Sequence, residues 1–212
     1  MQKINNNIYM KTTILHKIPH ALLYSRLVIA ILIIVFSFTA VSPKIIVALS
    51  IYAILSDVFD GIIARRLNIS TVEMRQLDTK IDTVFWFSCL FYICITHAQF
   101  LKTHLFQISI LVFSELFIIA FGFLKFEERI SYHTIFSKFW ALLLLWFFID
   151  LVLNNPSHYS FLISFWYGIF VQLEILIIAI VLKQNQTDIP SFLKAIKLRK
   201  GIKISRNRLF NG

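Results

Sequence analysis

The sequence is short of charge. Only 15% of its 212 residues are Asp, Glu, Lys or Arg, against about 25% in an ordinary soluble domain. Two cysteines, Cys89 and Cys94, are too few for a disulfide scaffold, and their spacing fits no zinc pattern. Both lie in an apolar run and read as core. The six histidines are scattered and propose no metal site. There is no GxGxxG fingerprint, no P-loop and no GxSxG elbow, which removes the commonest signals for dinucleotide binding, nucleotide hydrolysis and serine-nucleophile chemistry. No internal repeat, low-complexity tract or second domain is visible.

What is abundant is apolar sequence. Hydrophobic residues make up 58% of the chain, in long runs rather than at amphipathic spacing. A membrane-spanning helix needs roughly 20 such residues, and six runs qualify: Ala21–Ala40, Ile45–Ile63, Ile81–Thr96, Phe106–Phe123, Phe136–Leu153 and Phe161–Leu182. The expected fold is all-α and integral to the membrane. Residues 1–20 form a basic arm, 21–182 a six-helix domain, and 183–212 a basic tail. Ile18-Pro19 suits the start of the first helix. The first run is too long, and too interrupted by Arg26, for a cleaved signal peptide.

Against this background one stretch stands out, Asp57 to Asp82, reading DVFDGIIARRLNISTVEMRQLDTKID. Carboxylates beside membrane-grade sequence are expensive and point to function. Asp57 and Asp60 share a helix face, as do Asp78 and Asp82 on the next helix. Asn68, Ile69, Ser70 and Thr71 make a turn, with Ser/Thr near the second N-terminus. A connection this short makes the two helices antiparallel neighbours, so the four carboxylates can converge at one depth. Four like charges that close repel unless protons or cations neutralise them. Hard divalent ions, Mg²⁺ or Mn²⁺ first, are the natural partners, in a polar cavity between the second and third helices.

The same stretch resembles the signature of the CDP-alcohol phosphatidyltransferase family. That signature is Asp, two residues, Asp-Gly, two residues, Ala-Arg, eight residues, Gly, three residues, Asp, three residues, Asp. Asp57, Asp60, Gly61, Ala64, Arg65, Asp78 and Asp82 stand in register, and Met74 takes the place of the second glycine. Seven fixed matches arise by chance on the order of once in 10⁹ start positions. The resemblance implies transfer of a phosphatidyl-type group from a CDP-linked donor to an alcohol, with release of CMP. It implies two divalent ions, with Asp57, Asp60 and Asp78 as ligands and Asp82 as general base that also touches a metal. Gly61 and Ala64 would let the nucleotide approach the second helix, although close helix packing explains small residues there as well. Arg65 would meet a phosphate or anchor the topology. Met74 would crowd the cytidine pocket unless it swings aside. Family members often pair as homodimers, and many carry asparagine where His20 stands.

The remaining charges have more than one reading. Arg26 either snorkels to the interface or contacts an anionic lipid or phosphate. Lys138, at the head of the fifth span, either holds a substrate phosphate or snorkels. Glu115 pairs with a cation, stays protonated or lines the bundle. Glu174 either supports the site or, more simply, makes a structural hydrogen bond, and Asp150 reads as solvated. Trp86, Trp140 and Tyr159 fit interfacial anchoring or packing. Nineteen of the 21 Lys and Arg residues fall on one side of the six-span arrangement and only Lys44 and Lys102 on the other. The positive-inside rule then puts both termini and the aspartates in the cytoplasm. The tail mixes apolar and basic residues in the manner of an interfacial helix on an anionic leaflet, rather than a nucleic-acid arm.

The function expected is therefore phospholipid synthesis in the cytoplasmic membrane, most simply with CDP-diacylglycerol as donor and a phosphorylated alcohol such as glycerol 3-phosphate or a polyol phosphate as acceptor. Serine or phosphatidylglycerol as acceptor, or a water-soluble CDP-alcohol donor with diacylglycerol as acceptor, also fit. Two alternatives stay open. One is a cation transporter, which the absence of a second, inverted motif disfavours. The other is an inactive relative that keeps the aspartates, for which Met74 is the support.

Overall fold

Backbone in lipid must satisfy its own hydrogen bonds, which leaves a chain of long apolar runs little choice but helices. The computed structural model of the chain describes residues 2–67, 69, 71–130, 132, 134–154, 158–186 and 189–202, with the side chains of 2–17 and 65 outside that description. The described residues form eight helices: α1 (Gln2–Phe36), α2 (Pro43–Arg66), α3 (Val72–Thr96), α4 (Ala98–Thr103), α5 (Leu105–Phe126), α6 (Ile135–Asn154), α7 (His158–Val181) and α8 (Phe192–Arg199). There is no strand among the described residues. Six helices, α1, α2, α3, α5, α6 and α7, are long and apolar enough to cross a membrane. The chain is an integral membrane protein.

Two boundaries differ from expectation, each for a local reason. Pro19 lies inside α1 and not at its start. Its fixed φ suits a helix, and only one backbone bond is lost, just where the apolar part of α1 begins at Ile18. The third span starts at Val72 rather than Ile81. The Thr71 side chain accepts a hydrogen bond from the Met74 N–H at 3.2 Å, capping the helix, and Glu73 in the first turn favours the positive end of its dipole. Hydropathy misses this polar opening turn, and it is the part of α3 that carries Asp78 and Asp82.

The helices form two groups. α1 packs along both α2 and α3, while α7 packs along α5 and α6; α2 meets α6 and joins the groups. Small α4 links α3 to α5. A main core of Ile33, Ile46, Phe85, Phe148 and Leu151 holds the first group to α6. A second core beneath α8, around Ile178, Ala179, Ile189 and Ala195, ties the tail to α7. Lys125 at the end of α5 donates to the carbonyls of Ala179 (2.7 Å) and Ile180 (2.9 Å), placing a cation on the negative end of α7. Outward faces stay apolar, with Phe106, Phe113, Leu124 and Trp166 exposed, as a lipid solvent allows.

The first group leaves α3 apart from α5 and α6, and the gap is a cavity of about 570 Å³. Residues of α2, α3, α5, α6 and α7 wall it, so it is not the cleft confined to the second and third helices that the sequence suggested. The reason is that α3 spends its tightest face on α1. Trp140 lines this cavity and packs on Gly168, where an added Cβ would stand 2.7 Å from the indole. Its Nε1 donates to the Ser164 carbonyl at 3.0 Å. Gly168→Ala should push the indole into the cavity and lower stability by about 1–3 kcal/mol, read as an earlier thermal transition in micelles with altered tryptophan fluorescence.

Candidate active site

The four aspartates converge as their spacing predicts. Asp57 and Asp60 lie one turn apart near the end of α2, and Asp78 and Asp82 one turn apart near the start of α3. Asp57, Asp60 and Asp78 each place a carboxylate oxygen within 4.8 Å of the others. Like charges that close cost roughly 3–4 kcal/mol per pair even at an effective dielectric of about 20, so protons or a positive group must offset them.

That group is Arg26 of α1. Its side chain is 1% exposed and its guanidinium lies among all four carboxylates. Nη1 donates to Asp57 at 2.8 Å and also to Asp82; Nη2 donates to Asp60 at 2.7 Å and also to Asp78. Neither sequence reading of Arg26 anticipated this, because a single basic residue in an apolar run carries no information about which helix face it shares with an acid 31 residues away. The fork of a guanidinium suits four acceptors in a way an ammonium does not.

The donors fit a divalent ion. All are hard carboxylate oxygens, the ligand set Mg²⁺ and Mn²⁺ prefer. The guanidinium stands where a cation belongs. Asp57 and Asp82 are about one-third open and line the cavity, whereas Asp60 is almost fully buried.

The other expected residues fall around this centre. Gly61 and Ala64 line the cavity from α2. Met74 lines it too, but most of its side chain is buried against Leu23, Ala64 and Ile81. Methionine thus fills space between α1, α2 and α3 that a glycine would leave. Lys138, in the first turn of α6, lines the same cavity as Asp57. The Arg65 side chain, Asn68, Ser70 and the tail beyond Ile202 lie outside the described residues.

Arg129 is a further cation that the sequence offered only as a charge count. The loop after α5 turns at Glu127, in the left-handed conformation at φ 58°, and brings Arg129 back to α3. Its Nη2 donates to Thr83, the neighbour of Asp82, and stands 3.9 Å from Glu115. Glu115 therefore pairs with a cation on the cavity wall. Glu174 is buried and accepts from the Phe192 N–H at 3.3 Å, holding the start of α8, a structural bond as expected. Asp150 is not merely solvated. It accepts from Asn154 (3.1 Å) and Ser160 (2.6 Å) and ties the end of α6 to the start of α7. Trp86 and Trp140 serve the cavity wall, while Tyr159 is exposed. Cys89 and Cys94 are free thiols.

Beyond the carboxylates the cavity turns apolar, with Ile93, Ile108, Leu111, Phe147, Phe161 and Phe165 on its walls. Its lining on α3 runs from Met74 to Ile93, about 28 Å along a helix axis. The carboxylate cluster thus opens directly onto an elongated, largely apolar chamber.

The sequence profile of the CDP-alcohol phosphatidyltransferases matches residues 16–185. This protein belongs to the CDP-alcohol phosphatidyltransferase family. Enzymes of this family use divalent cations and move a phosphate-linked group from a CDP-alcohol. No curated protein and no solved structure matches the chain.

The centre holds four formal negative charges against one positive. Removing one carboxylate should therefore relieve repulsion more than it breaks an ion pair. Asp60→Asn is expected to leave the metal-free thermal transition unchanged or higher by calorimetry. A drop of more than a few degrees would instead mean that the aspartates serve chiefly to hold the helices together.

Proposed function

We propose that this protein transfers a phosphatidyl group from CDP-diacylglycerol to the hydroxyl of a phosphorylated alcohol, releasing CMP, as a step of phospholipid synthesis at the cytoplasmic face of the membrane. The observation that carries the reading is the convergence of four carboxylates of the family signature at a lipid-sized apolar cavity. The excess of Lys and Arg on the side of the aspartates supports the orientation. By family resemblance the working unit is a homodimer.

Two divalent ions, Mg²⁺ or Mn²⁺, when bound, neutralise charge on the transferring and leaving phosphates. Asp57, Asp60 and Asp78 form the tight oxygen group suited to hold them. Asp82 stands outside that group and is the general base, with room to touch a metal as well. The alcohol oxygen bonds to the phosphorus that carries diacylglycerol. The bond from that phosphorus to the bridging oxygen breaks, CMP leaves with the electron pair, and the alcohol proton passes to Asp82. Gly61 and Ala64 give the nucleotide close access to α2, with Met74 bounding the pocket from α3. Arg65 and Lys138 supply positive charge for phosphates, Lys138 from the start of α6. The apolar walls take acyl chains and exclude water from the transfer.

The test is CMP release by the full chain in lipid, with CDP-diacylglycerol, Mn²⁺ or Mg²⁺ and a panel of acceptors. Release should need both metal and acceptor, and Asp82→Asn should lower it by about 10²–10⁴. Release from CDP-choline or CDP-ethanolamine with diacylglycerol, and none from CDP-diacylglycerol, would overturn the donor assignment. Undiminished turnover in Asp82→Asn would remove Asp82 from the chemistry.

A further inference from the structure

We infer that Arg26 is a resident counter-ion that competes with the divalent ions for the same four carboxylates, so that metal binding is an exchange in which the guanidinium withdraws. The inference rests on the reading of the aspartates as metal ligands.

One guanidinium already bonds one oxygen each of Asp57, Asp60, Asp78 and Asp82, inside the same carboxylate cluster that an ion would use. A divalent ion among those oxygens would stand in contact with a positive group of like sign, in a setting where little water screens them. Charge balance points the same way. One arginine leaves the cluster three charges in deficit, whereas two divalent ions balance four carboxylates.

Arg26 is also not built as a permanent strut. Its Nε is buried and has no hydrogen-bond partner, a cost that a settled structural arginine avoids. Asp57 and Asp82, about one-third exposed beside the cavity, give ions a route to the cluster without unpacking α1. Metal-free protein is thereby spared the repulsion of a bare cluster, and the ions bind against a built-in competitor. Apparent affinity is then reduced by the fraction of chains in which Arg26 has withdrawn.

The experiment titrates Mn²⁺ into the full chain in neutral-lipid nanodiscs, following the free-ion electron paramagnetic resonance signal, for the wild type, Arg26→Gln and Arg26→Lys. Arg26→Gln should bind Mn²⁺ tighter by at least about tenfold. It should also melt earlier than the wild type in EDTA and gain more from Mn²⁺. Arg26→Lys, a point charge that cannot fork across two helices, should fall between. Arg26→Gln affinity equal to or weaker than the wild type would overturn the exchange while leaving the metal site intact. If Arg26→Gln does not fold, Arg26→Lys decides: tighter binding supports the exchange, and equal or weaker binding refutes it. Uptake of no Mn²⁺ by wild type and variants alike would overturn the metal reading itself, and the inference with it.

Discussion

Four carboxylates held within a few ångströms at the edge of a hydrocarbon layer must be neutralised, and much of the fold can be read as meeting that need. α1 packs on both α2 and α3, which brings Arg26 within reach of acids on both. The opening of α3 is polar and capped at Thr71 so that Asp78 and Asp82 sit on helix, level with Asp57 and Asp60. With α3 committed to α1, the helices on the far side cannot close on it, and the cavity is what remains. Carboxylate cluster and cavity are therefore one consequence of one packing choice.

The chamber's walls divide the labour. The carboxylate end carries the charge, while the stretch toward Phe161 and Phe165 is aromatic and aliphatic, which under the proposed function would take the lipid tail. Trp140 and Gly168 illustrate how tightly that wall is set, since one methyl group would move an indole. Arg129, brought back by the turn at Glu127, adds a second cation near the cluster by way of Thr83. Loop and helix together make the centre more positive than the motif by itself suggests.

Much of this was legible in the sequence. The six spans follow from apolar runs, and the pairing of Asp57 with Asp60 and of Asp78 with Asp82 follows from helical period. Membership of the family was legible from seven matching signature positions, and the profile match over residues 16–185 bears it out. What escaped was what depends on rotation about a helix axis. Which face of α1 bears Arg26, and which loop returns Arg129 to α3, are decided by packing between helices distant in sequence. Hydropathy also misjudged α3, because a window that averages Asp78, Lys80 and Asp82 reads as loop although a capped first turn makes it helix. Met74 departs from the family glycine, yet its burial against Leu23, Ala64 and Ile81 gives the larger side chain a place of its own.

The most direct measurement of the central claim is the number and coupling of Mn²⁺ ions held by the purified full chain. Electron paramagnetic resonance of the saturated protein should show two ions per chain, close enough for their spins to couple, with the coupled signal lost in Asp60→Asn. A single isolated ion, or none at saturating Mn²⁺, would contradict the account of a two-metal transferase centre.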